Sequence, residues 1–231
     1  MLVSILMSIH NGEKHLVESI NSILHQTYKN LEIIICDDFS NDNTLKICKE
    51  YEKKDSRIKI VTNKQNLGLT KSLNNLIEQS VGELIARQDA DDISDLNRIK
   101  EQVNYIKNLR YDFTTTRAKD KDTGRFIPKY SNYLPKRIIL KLKNPLIHGS
   151  LMIRKDVLLK IGKYDENFYY AQDYKLFKDL FKAGYRHKYI KEPLYLLNMK
   201  DNISNKFKIE QHYYANCVKR NKLPTKRTQQ I

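Results

Sequence analysis

Glycine is scarce in this sequence, with 7 among 231 residues, and none of them builds G-x-G-x-x-G or G-x-x-x-x-G-K-[ST]. The two glycine loops whose backbone amides cradle phosphates are therefore excluded, and any bound phosphate would need a cation and basic side chains instead. Cysteine is nearly as rare. Cys36, Cys48 and Cys217 are odd in number, lie in apolar segments and lack metal-ligand spacing, so no disulfide framework is expected. All three read as reduced, buried thiols of a cytoplasmic protein. Long apolar runs are missing: nothing approaches the ~18 consecutive apolar residues of a membrane-spanning helix. The opening Met-Leu-Val-Ser-Ile-Leu-Met is too short for a signal peptide, so the expectation is a soluble chain, at most peripheral at the inner face of a membrane. Tryptophan is absent, and the other aromatic residues form no stacking stripe and no known binding motif, which argues against nucleic acid as a partner.

What is abundant is positive charge. Lys+Arg number 42 against 27 Asp+Glu, a formal net charge of +15, which favours anionic partners such as nucleotides or an acidic membrane face. Hydrophobic residues make up 40% of the chain, enough for a globular core.

Apolar runs at Val3–Ile9, Leu31–Cys36, Ile58–Val61 and Leu84–Gln88 read as strands covered on both faces. Between them, Leu16–Leu24, Leu45–Tyr51 and Leu69–Gln79 carry apolar residues at helical spacing. Strict alternation of strand and helix predicts a parallel, doubly wound sheet whose ligands sit beyond the carboxyl ends of the strands. After a helix through Leu96–Ile106 the rhythm breaks. Tyr111–Thr116, Arg125–Ile127 and Ser150–Arg154 read as short strands, with helices near Ile138–Leu142, at Val157–Ile161 and at Asp173–Ala183. From about residue 201 the sequence is basic and reads as a tail or solvated helix, with Phe207, Tyr214 and Val218 able to rest on an anionic membrane.

The densest chemistry is Ala-Arg-Gln-Asp-Ala-Asp-Asp-Ile-Ser at 86–94, where Asp89, Asp91 and Asp92 follow a strand. Carboxylates so close together repel. A hard divalent cation such as Mg²⁺ or Mn²⁺ would relieve them, and a solvated helix-capping turn is the alternative. The other acidic stretch, beginning at Asp38, is not an EF-hand: that loop would have Asn43 at its sixth position, where Gly is needed, and Lys49 at its twelfth, where Glu is needed.

Four stretches, in order, resemble the family-2 glycosyltransferases. They are Val3–Glu13, the Asp-Asp-Phe-Ser-Asn-Asp-Asn-Thr of 37–44, Asn66-Leu67-Gly68, and Gly82–Asp92 with its D-x-D ending. The resemblance covers roughly residues 2 to 200 and implies an α/β GT-A fold: a Rossmann-like, mostly parallel sheet flanked by helices, with a smaller acceptor-side lobe. It implies a nucleotide-sugar-binding half at 1–115 and an acceptor and catalytic-base half at 116–200. The implied activity is metal-dependent, inverting transfer from a nucleoside diphosphate-sugar, with UDP favoured, to a glycan or lipid-linked glycan acceptor in surface polysaccharide synthesis.

Carried over residue by residue, the resemblance places His10 beside the donor's base and Asp38 on its N–H. Asp37 supports the turn, while Asn66 and Gly68 shape the donor pocket. Asp89 falls near ribose and metal, Asp91 on a Mn²⁺ or Mg²⁺ bridging the diphosphate, and Asp92 in a structural, capping role. In the second half, Gln172-Asp173 stands where the family has E-D, whose aspartate is the general base. With Gln in place of Glu, the whole burden falls on Asp173. That departure keeps open a catalytically silent nucleotide-sugar-binding module of the same fold. His148 is a candidate to complete the metal shell or to be a structural histidine. Arg87, Arg154 and Lys155 are phosphate candidates that a solvated face would equally explain.

Overall fold

The computed structural model describes residues 1–128, 135–200 and 207–225. The elements run β1 (Val3–Ile9), α1 (Glu13–Leu24), β2 (Leu31–Asp37), α2 (Thr44–Lys54), β3 (Ile58–Thr62), α3 (Leu69–Gln79), β4 (Leu84–Arg87), β5 (Ile93–Ser94) and α4 (Arg98–Leu109). They continue with β6 (Phe113–Asp120), β7 (Phe126–Ile127), α5 (Lys136–Ile139), a 3₁₀ turn (His148–Ser150), β8 (Met152–Arg154), α6 (Lys155–Lys160), α7 (Gln172–Lys182), β9 (His187–Leu197) and α8 (Lys208–Arg220). Among the described residues the strands form one sheet in the order β3-β2-β1-β4-β8-β6-β9-β5, with β7 paired to β6 off that path.

The central strands show why apolar runs become buried strands. Successive side chains point to opposite faces, so a strand covered on both sides must be apolar at every position. In β1 and β2, Val3, Ile5, Met7, Ile9, Leu31, Ile33 and Ile35 enter one core layer with Leu16, Ile20 and Ile23 of α1. Leu6, Ile34 and Cys36 enter the other, with Leu73, Leu76 and Ile77 of α3 and the residues of α7. The β1–β2, β1–β4 and β2–β3 ladders are parallel. Their carboxyl ends therefore bring His10, Asp38 and Asp89 to one edge.

Beyond β4 the sheet becomes mixed. β8 runs antiparallel to both β4 and β6, while β9 runs parallel to β6 and antiparallel to β5. No strand is legible at 187–197 in the sequence, because Lys, Glu and Pro interrupt its alternation. The structure accommodates Pro193 opposite Arg117, with a register shift on either side of that pair. Through this strand β5 is fastened to Leu196 and Tyr195, which anchors the acidic turn from its far side.

Two expectations need correction. Cys36 and Cys48 are buried, but Cys217 is only half-buried, because α8 lies on the surface of the core. The C-terminal segment is also no solvated tail over 208–220: Tyr214 and Val218 are buried in the same cluster as Phe168 and Tyr170, and Lys178 of α7 donates to the carbonyls of Val218 and Lys219. Their apolar faces are used inside the protein and are not free for a membrane. The expected tail residues 201–206 and 226–231 lie outside the described residues.

Candidate active site

The acidic turn is built on a buried polar platform. Arg87 is 2% exposed, which corrects the expectation of a solvated face: its guanidinium pairs with Asp89 Oδ1 and donates to the Gln88 carbonyl. Asp89 is thereby charge-compensated from below. Asp92 is buried, with Oδ1 accepting from the Asn198 amide at 2.8 Å, and burial raises its pKa well above the carboxylate range. The Tyr195 hydroxyl sits between the two, accepting the Asp89 N–H at 3.1 Å and hydrogen-bonding the Asp92 carboxylate. Asp91 is the carboxylate left closest to bare. Burial first, and the neighbouring Asp89 charge second, push its pKa up to about 6.

Beneath the turn lies Arg98, fully buried. A buried guanidinium costs several kcal/mol unless its donors are met, and here they are. It donates to Gln88 Oε1 at 2.8 Å, to Ser94 Oγ at 2.6 Å, to Gln102 Oε1 at 3.1 Å and to the Arg87 carbonyl. Its charge lies 4.9 Å from the centre of the Tyr195 ring. Burial holds its pKa down to about 10, so it stays protonated at neutral pH. Gln88 adds bonds to Ser19 Oγ and the Asp92 carbonyl, completing a network that fixes residues 87–94 from inside. Arg98, Gln88 and Tyr195 were not singled out in the sequence. The one available signal was polar residues inside otherwise apolar helical and strand patterns.

At the ends of β1 and β2, His10 is exposed, with Nδ1 2.9 Å from the Asp38 carbonyl. Asp38 is 3% exposed, and its carboxylate organises the following loop. Oδ1 accepts from Asn63 Nδ2 and the Leu67 N–H, and Oδ2 from the Gly68 N–H, all at 2.8 Å. This is a role the sequence did not disclose. Asp37 is also buried: Oδ2 lies 3.4 Å from the Ser40 N–H, and Oδ1 has no partner among the described residues. Asn66 Oδ1 accepts from the Gly68 N–H at 3.0 Å. Gly68 sits at φ +81, and a Cβ there would come within 2.7 Å of the Tyr169 ring, so both conformation and space demand glycine.

The second half supplies the remaining groups. Asp173 lies in the first turn of α7, where Oδ2 accepts from Asn144 Nδ2 and Oδ1 from the Tyr174 N–H, both at 2.7 Å. Burial outweighs these bonds and pushes its pKa up to about 6, with the Asp89 charge adding to the rise. Tyr164, buried nearby, feels the charges of Arg87, Asp173 and Asp89, so the two halves meet in one electrostatic field. Gly149 lies where they pack tightly: a Cβ there would lie 2.3 Å from Tyr195 Oη and 2.7 Å from Asp89 Oδ2.

His148 is placed differently from the ligand expected. Its Nε2 is 2.7 Å from Tyr164 Oη, and burial together with Arg87 holds its pKa down to about 3, so it is neutral. The described residues contain no group of three or more His, Cys, Asp or Glu arranged to hold a metal, so a shell completed by His148 is not assembled. The donors present still fit a hard cation: Asp91 and Asp89 are oxygen ligands held together at electrostatic cost, and Mg²⁺ or Mn²⁺ commonly takes one or two carboxylates plus phosphate oxygens and waters. Arg154 and Lys155 are not near this edge. Arg154 pairs with Leu84 at the opposite end of β4 and bonds Asp156, while Lys155 donates to the Ser80 carbonyl.

The sequence profile of glycosyl transferase family 2 matches residues 4–184. The chain belongs to that family. Relatives include the glycosyltransferase-named EpsE of Bacillus subtilis, 37% identical over 202 residues covering 84% of this chain and 71% of that protein. Another is the Escherichia coli UDP-Glc:alpha-D-GlcNAc-diphosphoundecaprenol beta-1,3-glucosyltransferase WfgD, 33% identical over 183 residues, covering 78% and 70%. The fold is that of Staphylococcus aureus TarS 1–349 in complex with UDP-GlcNAc, with a TM-score of 0.75 at 21% identity, covering 87% of this chain and 60% of that one. A mannosyltransferase of Pyrobaculum calidifontis with GDP-Man and Mn²⁺ superposes with a TM-score of 0.74 at 18% identity, over 96% and 65%. As a family-2 member the chain has the expected α/β GT-A architecture, a mixed sheet flanked by helices.

Proposed function

We propose that this chain transfers a sugar, with inversion, from a nucleoside diphosphate donor to a hydroxyl of a glycan or lipid-linked glycan acceptor. The observation that carries this reading is Asp173: a buried carboxylate in a helix's first turn, aimed by Asn144, with its pKa pushed up to about 6. Such a group is largely ionised at pH 7 yet basic enough to take a proton from an attacking hydroxyl. The acceptor oxygen attacks the anomeric carbon from the Asp173 side, and the sugar–phosphate bond breaks on the side of the acidic turn. His10 and the acceptor position left on Asp38 Oδ2 face the base, while Asn66 and Gly68 shape the loop beneath it. Mn²⁺ or Mg²⁺ held by Asp91 and Asp89 would neutralise charge on the departing diphosphate. His148 and Tyr164 form the wall between the halves.

UDP is the donor nucleotide in this reading. It is supported by the UDP-Glc in WfgD's name and by the UDP-GlcNAc held by TarS, and WfgD's diphosphoundecaprenol acceptor supports a lipid-linked substrate. The decisive experiment screens UDP-sugars and GDP-sugars for thermal stabilisation with and without Mn²⁺, followed by transfer assays of wild type and Asp173→Asn. A donor at ~100 Kd adds about 2.7 kcal/mol of stability. Stabilisation that persists in Asp173→Asn while transfer disappears supports the assignment. Equal transfer by both proteins would remove Asp173 from its role.

A further inference from the structure

The 136–143 segment, Lys-Arg-Ile-Ile-Leu-Lys-Leu-Lys, is amphipathic in an unusual way. Its inner face, Ile139 and Leu140, is buried, and the Leu140 carbonyl accepts from the hydroxyl of Tyr174. Its outer face carries no matching cover. Ile138 is 58% and Leu142 70% exposed, one helical turn apart, and the exposed Lys141 and Lys143 flank them. Arg137 reaches the Phe181 carbonyl, which leaves the ridge to these four residues. Backbone bonds from Lys141 to Ile138 and from Lys143 to Ile139 continue the turn, so the ridge is a formed surface. It ends at Asn144, the residue that orients Asp173.

From this juxtaposition we propose that the 136–143 ridge rests on an anionic lipid surface, with Ile138 and Leu142 entering the headgroup boundary and Lys141 and Lys143 meeting lipid phosphates. Charge complementarity selects the partner: apolar side chains bracketed by lysines match an acidic bilayer and not a neutral one. The ridge carries the peripheral contact that the C-terminal helix, with its apolar residues buried, does not provide. The proposal rests on the transferase reading only for its purpose, which is to set the catalytic base at the height of a lipid-linked acceptor.

The test is co-sedimentation of the full chain with vesicles of phosphatidylcholine alone or with added phosphatidylglycerol, at physiological salt. Wild type is expected to partition onto the anionic vesicles and not the neutral ones. Lys141→Gln/Lys143→Gln should weaken partitioning ~5–30-fold, at about a kcal/mol for each lysine. Ile138→Ser/Leu142→Ser should weaken it at least ~10-fold. Lys49→Gln/Lys53→Gln, an equally exposed pair on α2, should change it little. Absence of wild-type partitioning, equal binding to neutral vesicles, or an equal loss from the α2 pair would each overturn the proposal. So would a wild-type dimer in sedimentation velocity that Ile138→Ser/Leu142→Ser dissolves, since the ridge would then cover a second copy. Thermal stabilisation by donor, measured on the same variants, reports on the transferase reading independently of any lipid result.

Discussion

The half built on β1 to β4 and the half built around β6, β8 and β9 hold their functional groups by different physics. In the first, parallel strands set the positions, and side chains bonded to backbone N–H groups hold the turns at their ends. Parallel strands end together, and their turns are knitted by short bonds such as Gly12 N–H to Thr44 Oγ1 and Asn41 N–H to Asn11 Oδ1. In the second, side chains do the placing: Asn144 aims Asp173, Tyr164 meets His148, and Tyr195 spans Asp89 and Asp92. In the proposed reading, a chain of this kind standardises donor recognition in its sheet and leaves the acceptor side to a few replaceable contacts.

The contrast is broken most sharply at Asp173. Asp173→Asn should lower kcat ~10²–10⁴-fold while donor affinity, which the proposed function assigns to the other half, stays within about twofold by calorimetry. Retention of kcat would mean that the second half holds no base. Next in size is the platform. Arg98→Met removes the donors from Gln88, Ser94 and Gln102 together, and should cost about 3–5 kcal/mol in urea unfolding, with donor binding lost before acceptor binding. Gly149→Ala, at the seam, forces a Cβ against Tyr195 and Asp89, and should cost about 1–3 kcal/mol and depress transfer.

The smallest effects are in pH. With Asp173 titrating at about 6, transfer should fall as pH drops through 6, because the protonated carboxyl takes no proton. Stability should run the other way. Asp91 and Asp173 both have folded-state pKa values raised above the unfolded value, so folding takes up protons and their ionisation costs stability as pH rises toward and past 6. Asp91→Asn should therefore raise Tm at pH 8 by more than at pH 4.5, and a gain independent of pH would rule out ionisation as its cause.

Legibility in the sequence followed the same division. Strands β1 to β4 were readable because burial on both faces demands unbroken apolar runs, and the residues at their ends followed from topology. β9 was not, since its pairing survives Pro193 only through a register shift that a linear pattern cannot announce. Asp173 was legible as an acid at a helix start, whereas Asn144, 29 positions away, needed the fold to become its partner. Arg98 looked like any polar helix residue until the turn above it was seen to need a positive floor. The C-terminal helix misled because lysines on its outer side masked Tyr214 and Val218 on the inner.

The contact between Gly68 and the ring of Tyr169 carries a last implication. Tyr169 precedes Asp173 by only four residues, so a wedge seated on the nucleotide-side loop is rigidly continuous with the start of α7. A shift of the 63–68 loop toward Tyr169 would press on the ring that leads into α7, the helix that the proposed reading gives the proton-accepting carboxylate.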